Sequence, residues 1–317
     1  MGKTFYFDWE VELMEWLQGF IGDFGAQVAS VMSMLGEEVI LVAMLGYIFW
    51  CYDKNLGRFI GMNILVGLIM CPMLKNVMLR RRPYIDNPSI KCLRPVASDA
   101  PITDIASQGF SFPSAHTMNS TTSYLSIPVF TKNKKLLIPA IIIPIIVGVS
   151  RVMLGVHYPT DVLFGWIVGT IVVFGMSAIQ KRIKRIEILY AIVTVIALMG
   201  VFYCRTEDYF TCLGLIIGFF LADIFERRYV NFKETRNPIE SVIRVLGGFA
   251  TYGVLNFLIK APFSKEFLET KAAGPFALRT FRYAVIAFVA FGLYPMLFGK
   301  LGRLFNKNEH REGEGNN

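Results

Sequence analysis

The strongest constraint on this chain is a series of apolar stretches, each close to the length that crosses a lipid bilayer. A helix needs about 20 mostly apolar residues to span the hydrocarbon core, and 54% of the 317 residues are hydrophobic. A soluble helical protein would not bury so many apolar segments with so little charge between them. The sequence therefore predicts an all-α, polytopic membrane bundle of about nine transmembrane helices. The predicted spans are residues 24–51, 57–78, 114–131, 136–153, 160–180, 186–203, 210–226, 240–260 and 281–303.

The net charge of +8 follows the predicted loops. Lys and Arg collect in alternate connections, a pattern typical of the cytoplasmic ends of membrane spans. With nine spans, this alternation predicts an outer N-terminus and an inner tail. The basic balance therefore indicates topology, and no nucleic-acid partner is expected. The basic connections contain Lys54 and Arg58; Lys132, Lys134 and Lys135; Lys181, Arg182, Lys184 and Arg185; Arg227, Arg228, Lys233 and Arg236; and Lys300, Arg303, Lys307 and Arg311.

The first 23 residues have a different character from the spans. Trp9, Leu13 and Trp16 recur at helical spacing, with acidic residues on the other faces, so residues 1–23 are predicted to form an amphipathic interfacial helix. Docking of this helix against the protein itself is an equal alternative. Residues 84–113 form a long polar connection, for which a lid or substrate-entry role and a plain solvated connector are both open.

The five cysteines do not have the spacing of a metal site. Most lie in or beside spans, where a small buried hydrophobic residue is the simplest interpretation. Cys92 and Cys204 are both predicted outside, which leaves a disulfide open, although free thiols are favoured.

Three short polar clusters lie at the ends of apolar stretches. Lys75 and Arg82 are seven residues apart, so they are predicted on one face of a helix that ends near Pro83. Lys75 lies within the apolar stretch, where a charge is costly and points to function. The second cluster, Pro-Ser-Ala-His at 113–116, opens a span with Ser114 as the expected cap. The unpaired N–H groups of a helix N-terminus favour an anion.

The third cluster is the most informative. His157 and Asp161 form an i, i+4 pair, in which a carboxylate can fix the imidazole tautomer and leave the other ring nitrogen free to attack. Arg151 precedes them and can clamp phosphate oxygens with its planar fork. A His–Asp pair that merely holds a loop against a helix is the alternative.

Together these clusters resemble the signature of the type 2 phosphatidic acid phosphatase superfamily, which includes vanadium haloperoxidases. Residues 75–83 match Lys-x6-Arg-Pro, and residues 150–161 match Ser-Arg-x5-His-x3-Asp. The second cluster departs at Ala115, where glycine is usual, and this methyl group lies where phosphate would approach the backbone amides. The predicted regions are residues 1–23, the interfacial helix; 24–203, a six-span phosphatase core; 204–305, three further spans of unknown role; and 306–317, a polar cytoplasmic tail.

The resemblance implies a two-step phosphoryl transfer without metal or cofactor. His157 would attack phosphorus, Asp161 would orient its ring, and His116 would protonate the leaving alkoxide and then activate water. Cationic side chains and the start of the third span would hold the phosphate oxygens. The implied phosphate-binding residues are Lys75, Arg82, Ser114, Ala115, Ser150 and Arg151.

A site at the ends of spans suits an amphiphile whose phosphate lies at headgroup level. The expected function is hydrolysis of a lipid phosphomonoester or pyrophosphate at the extracellular or periplasmic face of a multi-pass membrane protein. A transferase with an alcohol acceptor is one alternative, and a lipid-phosphate transporter or flippase is a weaker one. The candidate substrates are phosphatidate, phosphatidylglycerophosphate, isoprenyl pyrophosphate and sphingoid-base phosphate, with membrane lipids as the surrounding partners.

Overall fold

A computed structural model describes residues 2–300, which are helical apart from connections and one isolated bridge between Lys3 and Arg80. The predicted all-α class is confirmed. Thirteen α-helices occur in this range. They are α1 Asp8–Met34, α2 Glu38–Tyr47, α3 Lys54–Met78, α4 Pro83–Asp86, α5 Ile105–Gln108, α6 Ala115–Thr131, α7 Leu137–Met153, α8 Pro159–Arg182, α9 Ile186–Met199, α10 Glu207–Phe225, α11 Pro238–Lys260, α12 Lys265–Glu269 and α13 Ala273–Phe288.

Every predicted span contains helix, but two of the spans differ from their predicted bounds. The stretch 24–51 is broken at residues 35–37, between α1 and α2, and the backbone of Gly22 leaves helical geometry inside α1 (φ 55°, ψ −167°). The last predicted span, 281–303, begins earlier in the structure, at Ala273. Seven segments of the described chain are long and apolar enough to cross a membrane, while α6 and the segment Ile186–Phe202 are shorter. The predicted tail 306–317 lies outside the described residues.

The N-terminal helix docks against the protein and also keeps an apolar face exposed. Trp9, Trp16 and Phe20 are exposed, whereas Glu10 and Met14 are fully buried. Glu10, one of the acidic residues predicted on the other faces of this helix, is buried, and its carboxylate pairs with the buried Arg80. Placement of the exposed face in a membrane interface remains a prediction.

One compact unit comprises residues 2–41, Met62–Lys184 and Phe202–Cys204. Helix α6 packs against α7 and α8, although it is rich in Ser and Thr. Its buried hydroxyls donate to carbonyls three or four residues earlier, so the side chains satisfy themselves within the helix. The donors and acceptors are Ser120 and Thr121 to Thr117 O, Thr122 and Ser123 to Asn119 O, and Ser126 to Thr122 O.

Glycines on α8 allow its backbone to approach α6 closely. A Cβ atom placed on Gly169 would lie 2.7 Å from Cβ of Thr121, and one on Gly165 would lie 3.0 Å from the carbonyl oxygen of Ser114. The close approach holds the start of α6 beside the start of α8, where the second and third clusters lie.

The other compact unit comprises Val42–Gly61, Arg185–Val201 and residues 205–300. Here Arg58 is buried between Asp223, at 2.5 Å, and Glu226. Tyr190 donates to the second oxygen of Asp223 at 2.7 Å. Arg58 was predicted as a loop charge, but it lies inside α3 with its charge neutralised. The functional boundary predicted near residue 203 remains a prediction, since this unit also includes earlier segments.

The connection 84–113 is held in place by side chains at both ends. Gln18 of α1 donates to Lys91 O at 2.8 Å, and Arg94 donates to Oγ of Ser30 at 2.9 Å. The side chain of Gln108 is buried and bonds the backbone of Val96 and Ala97. All five cysteines lie in the described range and form no disulfide, so Cys92 and Cys204 are not joined.

Candidate active site

The third cluster lies in the turn between α7 and α8. His157 is 2% exposed, and its Nδ1 lies 3.5 Å from Oδ2 of Asp161, which is fully buried in the first turn of α8. The backbone N–H of Tyr158 donates to the same Oδ2 at 2.8 Å, so the carboxylate is fixed by its own helix start. The turn requires Gly155 (φ +75°), where a Cβ atom would lie 2.2 Å from the carbonyl oxygen of Lys91.

Ser111, which was not among the residues expected from the sequence, completes this arrangement. Its hydroxyl donates to Oδ2 of Asp161 and lies 3.4 Å from Nδ1 of His157. A hydrogen bond with the backbone of Ser111 also involves His157. The two side-chain contacts, with Asp161 and with the Ser111 hydroxyl, are both made at Nδ1 of the ring. A serine between two phenylalanines offered no sequence signal for this role.

The predicted helical face shared by Lys75 and Arg82 is wrong. Helix α3 ends at Met78, Leu79 adopts a left-handed conformation (φ 54°), and residues 80–82 run extended. Pro83 therefore begins the short helix α4 and does not terminate α3. The extended stretch is paired through the Lys3–Arg80 bridge, and this pairing replaces the helical hydrogen bonds.

Arg80, also missed from the sequence, is the residue of this stretch that touches Asp161. Its Nη1 lies 2.7 Å from Oδ1 of Asp161, and its Nη2 lies 2.7 Å from Oε2 of Glu10. The guanidinium is 2% exposed and lies over the ring of Tyr158 at 4.0 Å. Three consecutive arginines look alike in sequence, so the signal could not single out Arg80.

Arg82 and Arg151 are both buried beside His157, but they are bonded differently. Arg82 donates from Nε to the carbonyls of Gln108 and Gly109, at 2.9 and 3.1 Å, and from Nη1 to that of Val156 at 2.9 Å. Arg151 donates from Nη1 to Ser33 at 2.8 Å, while its Nε is buried without a partner among the described residues. An unpaired guanidinium donor, on a residue whose charge acts on both His116 and His157, is suited to an anion.

Four of the remaining predicted residues lie at the end of α3 or at the start of α6. Lys75, in the last turn of α3, and His116, in the first turn of α6, lie within electrostatic range of His157. Ser114 occupies the N-cap position of α6 without a capping bond, since its hydroxyl accepts from Thr117 and its N–H donates to Asp161 O at 3.1 Å. Ala115 opens the helix, where backbone amides lack helical partners.

Ser150 is directed into its own helix. It is fully buried, and its hydroxyl donates to Val147 O at 2.7 Å. This bond provides no support for the predicted contact between its side chain and phosphate.

The electrostatics favour a neutral His157 side chain and a bound anion. Burial, followed by the positive charges of Arg82, Arg151 and Lys75, lowers the pKa of His157 well below its ordinary value of about 6.5. The imidazole is then uncharged at neutral pH, as a nucleophile requires. Within residues 2–300, no group of three or more His, Cys, Asp or Glu side chains is placed to hold a metal ion.

Comparison with known families gives two matches that cover most of the chain. Residues 39–185 match the PAP2 superfamily, and residues 210–307 match the transmembrane extension of PAP2 superfamily phosphatases. The first range contains all three clusters. The second falls on the helices that carry no cluster.

Individual relatives are bacterial lipid phosphatases. The chain is 42% identical to phosphatidylglycerophosphatase B of Bacillus subtilis over 85 residues, which are 24% of this chain and only 42% of that protein. It is 29% identical to the undecaprenyl-diphosphatase BcrC of the same organism over 46% of this chain and 71% of the relative. It is 30% identical to the decaprenylphosphoryl-5-phosphoribose phosphatase of Mycobacterium tuberculosis over 51% of this chain and 86% of the relative.

One solved structure is also similar. It is the crystal structure of a transmembrane PAP2-type phosphatidylglycerolphosphate phosphatase from Bacillus subtilis, with a TM-score of 0.41 and 26% identity. The match covers 57% of this chain and 90% of that one.

Proposed function

Because this chain belongs to the PAP2 superfamily, we propose that it hydrolyses the phosphate or diphosphate headgroup of a membrane lipid through a phosphohistidine on His157. The observation that carries the proposal is the buried His157–Asp161 pair, with two arginines and a second histidine around it. A pair that only fastened a loop would not need three positive charges directed at the histidine.

In the first step, Nε2 of His157 attacks phosphorus while the bond to the lipid oxygen breaks. Asp161 and Ser111 hold the Nδ1 side of the ring and stabilise its developing positive charge. His116 donates a proton to the leaving alkoxide, or to the phosphate leaving group when the substrate is a diphosphate.

In the second step, His116 accepts a proton from water, and the hydroxide attacks phosphorus. The bond between phosphorus and Nε2 breaks, releasing inorganic phosphate and regenerating neutral His157. General acid–base assistance of this kind contributes about 10²- to 10⁴-fold in rate.

We propose that the cationic side chains and the first turn of α6 bind the phosphate. The buried Nε of Arg151 is the clearest available donor, and the charges of Lys75 and Arg82 complement the equatorial oxygens. Backbone amides at Ala115 and the following residue add the positive end of a helix. These groups supply the charge stabilisation that a metal ion gives in other phosphatases, so we propose that the reaction is metal-independent.

The substrate class is a lipid phosphate, and the relatives narrow the candidates. Their names specify phosphatidylglycerophosphate, undecaprenyl diphosphate and a decaprenyl-linked phosphate. We propose that the substrate of this chain is one of these amphiphiles or another lipid phosphate, presented at the membrane surface.

The test measures phosphate release from purified protein given phosphatidate, phosphatidylglycerophosphate, undecaprenyl diphosphate and a sphingoid-base phosphate. We expect release from at least one lipid in the presence of EDTA, inhibition by vanadate, and loss of activity in His157→Gln. The third histidine, at position 310 in the C-terminal tail, provides a matched control, and His310→Gln should retain activity. Full activity of His157→Gln would exclude the nucleophile assignment, and transfer to an added alcohol without hydrolysis would make the protein a transferase.

A further inference from the structure

We propose that Glu10, acting through Arg80, is a positioning residue that sets the net charge presented to His157. The inference rests on the proposed function, since it concerns the same nucleophile. Glu10 lies in the N-terminal segment, before residue 39, where the match to the PAP2 superfamily begins. The proposed role of Glu10 is therefore a role for a segment outside the matched range.

The Glu10 carboxylate is fully buried, and both its oxygens are bonded. Oε2 accepts from Nη2 of Arg80 at 2.7 Å, and Oε1 accepts from the hydroxyl and the backbone N–H of Thr160, at 2.6 and 3.0 Å. Thr160 lies in the first turn of α8, directly before Asp161. A carboxylate at a helix N-terminus is stabilised by the unpaired amides and the helix dipole.

Arg80 links the two carboxylates. Its Nη1 donates to Oδ1 of Asp161 and to the hydroxyl of Thr160, both at 2.7 Å. The planar group lies over the ring of Tyr158 and also 4.9 Å from that of Phe5. Bonds on several edges and aromatic contacts on its faces leave the guanidinium one position.

The segment that precedes α1 secures this geometry. Lys3 N donates to Leu79 O at 2.7 Å, Arg81 N donates to Lys3 O at 3.1 Å, and Nε of Arg80 donates to Phe5 O at 2.8 Å. The segment before α1 is therefore paired with the extended stretch that carries Arg80. Glu10 reaches the active site because this pairing fixes the start of α1.

The net charge of Glu10, Arg80 and Asp161 determines the electrostatic potential that these side chains exert on His157. Asp161 alone would present one negative charge, which Arg80 neutralises, and Glu10 restores the net charge of the three side chains to −1. A buried arginine shared by two carboxylates thus orients Asp161 without cancelling its field. Removing one member of a buried ion network leaves an uncompensated charge, which is costly.

Other charged groups also face His157, and their contributions have the opposite sign. They are Lys75 of α3, Arg82 of the extended stretch, His116 of α6 and Arg151 of α7. The net negative charge of Asp161, Glu10 and Arg80 partly offsets these positive charges at His157. A change in its charge should therefore be visible in the titration of His157.

The direction of each effect follows from electrostatics. Glu10→Gln leaves Arg80 and Asp161 with a net charge of zero, which lowers the pKa of His157 further and makes its ring a weaker nucleophile. Arg80→Gln leaves two carboxylates and raises that pKa. Glu10→Gln combined with Arg80→Gln returns the net charge to −1, so the pKa should return toward the wild-type value.

The experiment measures two quantities on these variants and on Glu12→Gln, an exposed carboxylate of the same helix. One is the pH profile of kcat for undecaprenyl diphosphate in detergent. The other is the titration of His157 followed by NMR of ¹³C-labelled histidine, which is tractable because the chain has three histidines. Thermal melting of each variant gives its folded fraction.

We expect kcat of Glu10→Gln to fall by about 10- to 100-fold, by analogy with the loss of a hydrogen-bond partner behind a metal-binding histidine. The pH at which kcat falls off on the acidic side should be lower for Glu10→Gln than for wild type and higher for Arg80→Gln. For the double variant this pH should return toward the wild-type value. Glu12→Gln should match wild type in both quantities.

A merely structural role for Glu10 predicts the opposite for the double variant, which should then be at least as impaired as either single one. That result, failure of the double variant to fold, or an unchanged His157 titration in Glu10→Gln would overturn the inference. Inactivity of the wild-type protein on every lipid phosphate would instead refute the proposed function, while the NMR titration would still test the charge arrangement.

Discussion

Three consecutive arginines of one residue type have three different environments in this protein. Arg80 is buried between two carboxylates, Arg81 is half-buried and lies 3.3 Å from Asp86, and Arg82 is buried against backbone carbonyls. In an extended backbone, alternate side chains point to the same side. Arg80 and Arg82 therefore both enter the protein, whereas Arg81 points away from them.

The two buried arginines beside His157 should respond differently to replacement by lysine. Arg151→Lys removes the unpaired Nε donor, so the affinity for vanadate should fall by about tenfold or more, because hydrogen bonds to charged groups are worth about 1.5–3 kcal/mol. Arg82→Lys breaks the fork that holds three carbonyls, so the free energy of unfolding should fall by about the same amount. Vanadate inhibition and chemical denaturation measure the two effects.

Arg81→Lys is the matched control, since it alters the neighbouring arginine and leaves these bonds intact. It should change neither quantity by more than a surface ion pair, about 0–1 kcal/mol. Equal losses of vanadate affinity in the Arg151 and Arg82 variants would contradict the distinction between phosphate donor and loop anchor.

At the scale of elements, the site depends on close contact between α6 and α8. Each helix carries one residue of the candidate site in its first turn, His116 on α6 and Asp161 on α8. The hydroxyl-rich face of α6 can be buried because its side chains bond to their own helix, and small residues on α8 let the backbones approach. The relative position of the two first turns is therefore a packing property.

Gly169→Ala should destabilise the protein, because the new Cβ would lie 2.7 Å from Cβ and 2.9 Å from Cγ2 of Thr121. Overpacking of a tight contact costs about 1–3 kcal/mol. Gly175→Ala on the same helix is the matched control, since nothing lies within 4 Å of its added methyl group. Melting temperatures in detergent compare the two, and an equal response would show that the α6–α8 contact is looser than the structure indicates.

At the scale of the whole molecule, the charge pattern used for topology needs correction. Arg58, which was counted among the basic connections, is neutralised by Asp223 and Glu226 and does not act as a free positive charge at a membrane surface. Arg80, which was not counted, is likewise neutralised by Glu10 and Asp161. The positive-inside rule concerns loop charges near span ends. Without Arg58 the predicted orientation depends on the exposed basic connections alone. It is unchanged, with the N-terminus outside and the tail inside.

We predict that the connection 84–113 lies outside and that the connection between α6 and α7 lies inside. Asp99→Cys and Lys134→Cys place exposed cysteines in these two segments, in a background where Cys92 is replaced by serine. In intact cells, a membrane-impermeant maleimide should label the first and not the second, and permeabilised cells should show both labelled. Labelling of only Lys134→Cys would invert the topology and place the active site at the cytoplasmic face.

Much of the fold followed from local chemistry. Apolar stretches predicted the helices because a spanning backbone must satisfy its own hydrogen bonds. The three clusters predicted the candidate site because their residue types and spacing resemble one family. The predicted helical face of Lys75 and Arg82 failed at Leu79, where pairing with the backbone of Lys3 competes with the helix.

The sequence by itself determined which residues could perform the chemistry: two histidines, a carboxylate and a set of cations at span ends. Only the tertiary structure decided which of them touch. It brought Ser111 and Arg80 to Asp161, and placed Glu10 of the N-terminal helix behind them. Such contacts join residues 50 to 81 positions apart. They arise from backbone pairing and helix packing, which no local pattern of residue types encodes.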